Sequence, residues 1–179
     1  CEICKGKRFK DEITAIKYNG VSIDMLLNMT VDDSIKFFRK YNQTKIVNKL
    51  LPLQSVGLGY VSLGQSSNTL SGGEAQRIKL ASFIGKGDQI DKTFFIFDEP
   101  TTGLHFHDVK KLLNTFDKLI RMGHSILVIE HNLDMIYCAD HIIDLGPEGG
   151  DKGGNIIAEG SPEEIIKNKK SYTGQYLKK

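Results

Sequence analysis

The sequence lacks the features that would place a protein in a membrane, on a secretory route or in a disulfide-bonded fold. No apolar run approaches the ~20 residues that cross a bilayer. The start shows no basic, apolar, small-residue order of a secretory signal. The three cysteines are an odd number, which argues against a disulfide framework. These absences favour a cytoplasmic protein, and a start at Cys1 without methionine favours a piece of a longer chain.

Charge is balanced over the whole chain but uneven along it. The net charge of +2 is too small to imply nucleic-acid binding by itself. Basic residues crowd both ends of the chain. Those near the start are Lys5, Lys7, Arg8 and Lys10, and those near the end are Lys167, Lys169, Lys170, Lys178 and Lys179. Short runs of this kind are usually solvated surface lysines, and we keep this interpretation for the C-terminal group.

The first half of the chain has the pattern of a mostly helical domain. Residues 14–18 alternate in polarity like a short strand, and Asn19-Gly20 is typical of a tight turn. Residues 21–53 are helical in pattern, and the second long helix there is expected to stop at Pro52. Residues 54–70 are rich in Gly, Ser, Gln and Asn, which predicts a loop.

The second half has the pattern of an α/β domain. Continuous apolar runs at 93–97 and 125–129 predict strands buried on both faces. Further strands are predicted at 141–145 and 155–159, and helices at 106–121, from 132 and from 161. Strands that alternate with helices predict a parallel sheet. We therefore expect a helical domain at 1–90 and an α/β domain at 91–179.

Polar residues follow two of these predicted strands where each one ends. Asp98 and Glu99 come after the first strand, and His131 comes after the second. Ligands bind at the C-terminal strand ends of parallel α/β sheets. One carboxylate there suits a Mg²⁺ ion on nucleotide phosphates, while its neighbour or the histidine positions an attacking water. Taken alone, however, the acidic pair could equally cap a loop, and a lone histidine is more often structural.

A stronger signal stands at 70–77, with the sequence L-S-G-G-E-A-Q-R. Ser71 and Glu74 form a capping box, which predicts a helix from Ser71 to about residue 84. Gly72 and Gly73 leave the first backbone N–H groups unobstructed, and the helix dipole adds positive potential there. Ser71 adds a hydroxyl donor. The helix start is therefore a predicted cradle for an anion, and the anion expected is a triphosphate.

Four motifs in this order resemble those of ABC ATPases. The segment 70–77 resembles the signature motif, 94–99 the Walker B strand, 102–105 the D-loop and His131 the switch histidine. The resemblance implies a P-loop NTPase core with a helical signature subdomain, and ATP and Mg²⁺ as ligands. It also implies that Asp98 holds Mg²⁺ and that Glu99 and His131 are catalytic. Ser71, Gly72, Gly73 and Gln76 would then bind the nucleotide.

Other stretches resemble one family within this class, the UvrA proteins, which are the damage-sensing subunits of bacterial excinucleases. The resemblance runs from end to end and is carried by V-G-L-G-Y at 56–60, L-G-Q at 63–65, E-H-N-L-D at 130–134, I-D-L-G-P-E-G-G at 143–150 and S-Y-T-G-Q-Y-L at 171–177. It implies the second of two ATPase modules. It also implies a homodimer that binds damaged double-stranded DNA and loads UvrB, the latter through a module outside this chain.

The N-terminal dozen residues resemble the second half of a zinc module. Cys1 and Cys4 supply two of the four ligands that a structural zinc needs, so the other two are expected upstream. The resemblance implies that the basic residues after these cysteines contact DNA phosphates; they are Lys5, Lys7, Arg8 and Lys10. Cys138 falls among apolar residues in a predicted helix, which favours a buried, inert thiol.

The chain departs from the pattern at one essential point. No G-x-x-x-x-G-K-[ST] phosphate loop occurs in it, so we expect no ATPase activity from the chain by itself. Three other readings remain open: a UvrA-like paralogue in drug self-resistance, the ATP-hydrolysing subunit of a transporter, and a module that holds ATP without cleaving it. Cys1, Cys4 and the T-G-L-H loop count against the transporter, and Glu99 with His131 counts against the pure binding module.

Overall fold

Residues 8–85, 91–148 and 153–178 are described by the structure, a computed structural model. The chain divides into two units, Cys1–Leu127 and Val128–Lys179. Helices and strands are mixed in both, as the α/β pattern predicts. No helix in the described part of the chain is long and apolar enough to cross a membrane.

The first unit begins with a short helix, α1 (Asp11–Thr14), and a hairpin of β1 (Lys17–Tyr18) and β2 (Val21–Ser22). The strands are antiparallel, with Tyr18 opposite Val21. The tight turn predicted at Asn19-Gly20 is confirmed, because both residues have positive φ values, 49° and 83°. The strand predicted at 14–18 is confirmed only for its last two residues, since α1 extends to Thr14.

Three helices follow the hairpin: α2 (Ile23–Asn28), α3 (Val31–Lys40) and α4 (Thr44–Ser55). Thr30 caps α3, and its hydroxyl oxygen accepts the Asp33 N–H at 3.1 Å. Apolar residues of α3 and α4 form the core of this region, with Val31, Ile35, Phe38 and Val47 buried. The prediction that α4 stops at Pro52 is wrong. The helix runs three residues further to Ser55, whose hydroxyl donates to the Pro52 carbonyl.

The elements between residues 67 and 129 include the helix start and the strand end of the candidate site. A 3₁₀ turn (Ser67–Thr69) precedes α5 (Gly72–Ile84), which is followed by β3 (Phe94–Asp98), α6 (Phe106–Arg121) and β4 (Ser125–Ile129). β3 and β4 pair in parallel in a two-stranded sheet. α5, β3, α6 and β4 each begin and end within one residue of their predictions, whereas the 3₁₀ turn lies in a segment that was predicted as loop.

The burial predicted for the strands is wrong among the described residues. On one face of β3, Phe97 is buried and stacks on Phe116 of α6. On the other face, Phe94 and Ile96 are 61% and 62% exposed. An apolar run is typical of a strand covered on both faces, but the run alone does not say which part of a protein supplies the second cover.

The second unit contains α7 (Leu133–Tyr137), β5 (Ile142–Gly146), β6 (Asn155–Gly160), α8 (Pro162–Lys167) and α9 (Tyr172–Leu177). β5 and β6 are antiparallel, with Ile142 opposite Gly160. The prediction of a wholly parallel sheet is therefore wrong for this pair. Only residues 147–154 connect the two strands, and a parallel crossover needs about a dozen residues or more.

Cys138 also differs from its prediction. It caps the C-terminal end of α7 and is exposed, so the expected buried thiol is wrong. The five residues of α7 place Met135 in the core, and Cys138 follows after the helix has ended.

Candidate nucleotide-binding site

The start of α5 has the geometry of a capping box. The Ser71 N–H donates to Glu74 Oε2 at 2.8 Å, and the Glu74 N–H donates to Ser71 Oγ at 3.2 Å. Because Ser71 Oγ accepts this bond, its hydroxyl proton can donate to another acceptor. Ser71 and Gly72 are exposed, and a Cβ atom built on Gly72 would have no heavy atom within 4 Å. The helix start is therefore exposed at Ser71 and Gly72, and its role as an anion cradle stays a prediction.

Gly73 is buried because the first turn of α5 lies against the loop that follows β3. A Cβ atom at this position would lie 3.3 Å from the Glu99 carbonyl oxygen and 3.4 Å from that of Thr102. Both distances are shorter than comfortable contacts, so a side chain would push the helix away from the loop. The second glycine of the motif thus has a packing reason as well as a predicted binding role.

Two side chains of α5 bind the same loop by hydrogen bonds. The Gln76 amide pairs with the backbone of Asp98, donating to its carbonyl at 3.0 Å and accepting its N–H at 3.2 Å. Arg77 Nη1 donates to the carbonyls of Pro100 at 2.6 Å and Thr102 at 3.3 Å. Arg77 is fully buried. The start of α5 and the end of β3 are therefore fixed to one another.

The two predicted catalytic carboxylates lie at the end of β3. Asp98 is its last residue and Glu99 the next, and both are exposed. Glu99 has a φ of 47°, which is uncommon outside glycine, and its Oε2 accepts a hydrogen bond from Thr102 Oγ1 at 3.3 Å. The turn at 99–102 therefore gives the two neighbouring carboxylates different settings.

Asp98 fits a Mg²⁺ ion of the kind that rides on phosphates. Mg²⁺ keeps several waters and takes one or two carboxylates besides its phosphate oxygens, so a crowded protein cage is not needed. The described residues include no group of three or more His, Cys, Asp or Glu side chains that could hold a metal ion by themselves.

His131 belongs to the second unit and is the second residue after β4, following Glu130. The Glu130 carboxylate accepts the backbone N–H groups of His131 at 3.0 Å and of Asn132 at 3.1 Å. Asn132 in turn caps α7 through the Met135 N–H. These bonds set the backbone of the predicted switch histidine, while its side chain remains exposed.

The predicted zinc and DNA-contact residues lie at the edge of what the structure describes. Cys1, Cys4, Lys5 and Lys7 fall outside the described residues. Arg8 and Lys10 are exposed, and Arg8 Nη2 donates to the Gly64 carbonyl. The Arg8 bond attaches this basic segment to the loop that precedes α5.

Sequence reasoning missed Tyr60 and Arg77 as members of the site. The Tyr60 hydroxyl donates to Glu74 Oε1 at 2.6 Å. This bond, followed by the backbone of Ser71, lowers the pKa of Glu74. Burial, and then Glu74, raises the pKa of Tyr60, and burial lowers that of Arg77. Both residues lie in motifs that the sequence displays, V-G-L-G-Y and L-S-G-G-E-A-Q-R, but only the fold brings Tyr60 to Glu74 and Arg77 to the loop after β3.

Comparison with known proteins gives a consistent result. No family model matches the chain. It is 59% identical over its full length to UvrABC system protein A of Clostridium acetobutylicum, 58% to that of Clostridium perfringens and 54% to that of Aquifex aeolicus. In each case it spans 19% of the relative's length. Its fold is similar to the crystal structure of UvrA2 from Deinococcus radiodurans, with a TM-score of 0.83 at 38% identity, over 99% of this chain and 22% of that one.

These likenesses, together with the signature helix and the strand-end carboxylates, place the chain among the ABC-type ATPases. Within that class the chain belongs to the UvrA family. It corresponds to about a fifth of a UvrA protein.

Proposed function

We propose that the chain supplies the signature helix and the strand-end carboxylates of an ATPase module in a DNA-damage-recognition protein of nucleotide excision repair. The observation that carries this proposal is the open start of α5, bonded through Gln76 and Arg77 to the loop that holds Asp98 and Glu99. One rigid piece thus presents an anion cradle and a pair of carboxylates. ATP hydrolysis needs both.

The anion cradle serves the γ-phosphate of an ATP held by another module. In a head-to-tail pair of ABC modules, each nucleotide lies between the phosphate loop of one and the signature of the other. Ser71 donates its hydroxyl, and Gly72 and Gly73 offer backbone N–H groups at the positive end of the helix dipole. Gln76 acts one turn below, where its amide keeps the cradle in register with Asp98.

The carboxylates and His131 serve the nucleotide on this module's own phosphate loop. Asp98 holds Mg²⁺, which neutralises charge on the β- and γ-phosphates when bound. Glu99 accepts a proton from the attacking water, and its Thr102 bond orients it for that role. His131 donates to the γ-phosphate.

The remaining roles concern the whole protein. Cys1 and Cys4 complete a Zn²⁺ site with two upstream ligands, and Lys5, Lys7, Arg8 and Lys10 contact the phosphates of damaged double-stranded DNA. The protein acts in the cytoplasm as a homodimer, where ATP turnover is coupled to scanning DNA and to loading UvrB. Loss of the γ-phosphate would loosen the contact between modules and so switch the assembly.

Substitution of the two adjacent carboxylates tests the assignment in the whole protein. Asp98→Asn should weaken Mg²⁺-dependent ATP binding at this module. Glu99→Gln keeps the side-chain shape, so ATP should still bind while the chemical step slows by about 10²-fold or more. Single-turnover hydrolysis should be followed with the other module's site disabled, and nucleotide binding should be measured separately.

Near-normal single-turnover hydrolysis in Glu99→Gln would show that Glu99 is a loop residue, and His131 would become the candidate base. Glu12→Gln is a matched control, since it makes the same change at an exposed glutamate in α1. It should leave both binding and hydrolysis as they were.

A further inference from the structure

A carboxylate lies in the first turn of the helix that is meant to receive an anion. Glu74 is the third residue of α5, and its two oxygens have different partners: Oε2 accepts the Ser71 N–H and Oε1 accepts the Tyr60 hydroxyl. A negative charge at this position stabilises the helix itself. It also repels a phosphate bound at the same end. The position of this charge therefore matters for nucleotide binding.

Tyr60 comes from a different part of the chain and from a firmly held loop. It precedes Glu74 by fourteen positions, and its neighbours Leu58 and Val61 are buried. The aromatic ring is about half exposed, but the hydroxyl reaches the carboxylate at 2.6 Å. Hydrogen bonds from a hydroxyl to a carboxylate are the strong, short kind, and this distance lies in their usual range.

The electrostatics of the cluster agree with the geometry. The Tyr60 hydroxyl lowers the pKa of Glu74, which means that the hydroxyl favours the charged form of the carboxylate. Arg77 lies one turn further along α5, and its charge also favours the charged form of Glu74. The negative charge is thus compensated on both oxygens and by a nearby cation.

We propose that Tyr60 is a positioning residue of the nucleotide site, whose hydroxyl fixes the Glu74 carboxylate on the Ser71 backbone so that its charge does not oppose the anion. This inference rests on the function proposed above, in which α5 receives a γ-phosphate. Without the hydroxyl, Oε1 has lost its partner. The carboxylate then rotates in the first turn, and both the capping box and the anion cradle are weakened.

The test uses the whole UvrA-family protein with Glu99→Gln, so that the remaining hydrolysis reports on the ATP held at the signature of this chain. Tyr60→Phe should raise the half-saturating ATP concentration about threefold to tenfold, the order expected for one hydrogen bond to a charged group near the surface. The maximal rate should change less than about twofold, because Tyr60 touches no reacting group. Tyr172→Phe removes the same hydroxyl from an exposed tyrosine in the second unit and serves as the control.

The decisive variant combines Tyr60→Phe with Glu74→Gln. Glutamine has no charge, and its amide oxygen still accepts the Ser71 N–H, so half-saturation should return to within about twofold of the parent. A purely structural role for Tyr60 in its loop would not be rescued in this way. An increase that Glu74→Gln leaves in place would therefore overturn the proposal.

Ser71→Ala distinguishes a failure of the role proposed for Tyr60 from a failure of the ATP site proposed at α5. If Tyr60→Phe has no effect on half-saturation while Ser71→Ala raises it, the role of Tyr60 is wrong and α5 still belongs to an ATP site. If neither variant has an effect, the assignment of α5 to an ATP site is itself wrong, and the inference falls with it.

Discussion

Arg77 illustrates how a single side chain holds this site together. Arg77 has the largest side chain among the fully buried residues that the structure describes, and burial lowers its pKa. Its Nη1 atom donates to two carbonyls of the loop after β3, and a Cβ atom built on Gly73 would lie 3.2 Å from the same nitrogen. Its buried Nε and Nη2 atoms have no hydrogen-bond partner among the described residues, so Arg77 connects α5 to the loop through Nη1 alone.

Removing the Arg77 guanidinium should lower the free energy of unfolding. Arg77→Met keeps the length and apolar stem but leaves the Pro100 and Thr102 carbonyls without their donor. We expect a loss of about 1–3 kcal/mol, the usual cost of an unsatisfied buried polar group, measured from urea unfolding by circular dichroism. Arg77→Lys keeps the charge but loses the planar, forked guanidinium, so its free energy of unfolding should lie between those of the parent and of Arg77→Met.

Arg121→Met is the matched control for Arg77→Met. Arg121 pairs with Asp117 at 2.9 Å on the exposed face of α6, and both side chains are largely in solvent. Exposed pairs of this kind contribute at most about 1 kcal/mol. Equal losses for the two arginine variants would contradict the structural role assigned to Arg77.

Helix starts are the elements that the sequence specifies most completely. Capping boxes at Ser71–Glu74 and Ser161–Glu164 begin α5 and α8, and each is formed by residues only three positions apart. In both, the glutamate accepts the N–H of its serine at 2.8 Å. The Ser161 N–H lowers the pKa of Glu164, and the Tyr60 hydroxyl, followed by the Ser71 N–H, lowers the pKa of Glu74.

The two lowered pKa values predict a dependence of stability on pH. A glutamate whose folded pKa lies below its unfolded value, about 4.3, contributes stability above that pH. This contribution is lost as the pH falls through the folded pKa. The unfolding midpoint in urea should therefore fall between about pH 5 and pH 3, and Glu74→Gln with Glu164→Gln should flatten that slope.

Glu163→Gln lies in the first turn of α8 but outside its capping box, so it is the control for the pH experiment. The slope should survive this change. If the double glutamine variant kept the full slope as well, the capping carboxylates would not be a source of acid sensitivity in this protein.

The contrast between helix starts and strands explains how much the sequence predicts. Caps, turns and element bounds depend on neighbours within about four residues, and the predictions for α5, α7 and the Asn19-Gly20 turn are confirmed. The direction of β6 follows from the short connection 147–154, which the prediction of a parallel sheet left out of account. The cover over β3 depends on distant parts of a protein, and there the prediction is wrong. Tyr60 was missed for the same reason, because only the fold brings it to Glu74.

The candidate site likewise combines residues that local sequence predicts with hydrogen bonds that only the fold reveals. Asp98 and Glu99 at a strand end and Ser71 to Gly73 at a helix start were predicted in position from local pattern and family resemblance. Their roles stay predictions until the carboxylate variants are measured. The bonds from Gln76 and Arg77 to the loop after β3 join these two groups, and they come only from the structure.

At the scale of the whole molecule, each unit exposes large apolar strand residues. Phe94 and Ile96 do so in the first unit, and Ile143, Leu145 and Ile156 in the second, each at 54–62% exposure. Contiguous apolar surface of this kind marks a place where another part of a protein packs. The relatives are about five times as long as this chain, so they contain ample chain to cover such faces.

Hydrolysis of ATP by this chain alone would require a phosphate loop as well as the carboxylates and the signature helix. A phosphate loop wraps the β- and γ-phosphates with backbone N–H groups and a lysine, and no G-x-x-x-x-G-K-[ST] sequence occurs in these 179 residues. The carboxylates and the signature then have no nucleotide held between them. We expect phosphate release by the purified chain to equal that of its Glu99→Gln variant, since neither binds ATP in a productive position. Turnover that persists through further purification and disappears in Glu99→Gln would contradict this, because it would show that the residues present here can hold and cleave ATP without a phosphate loop.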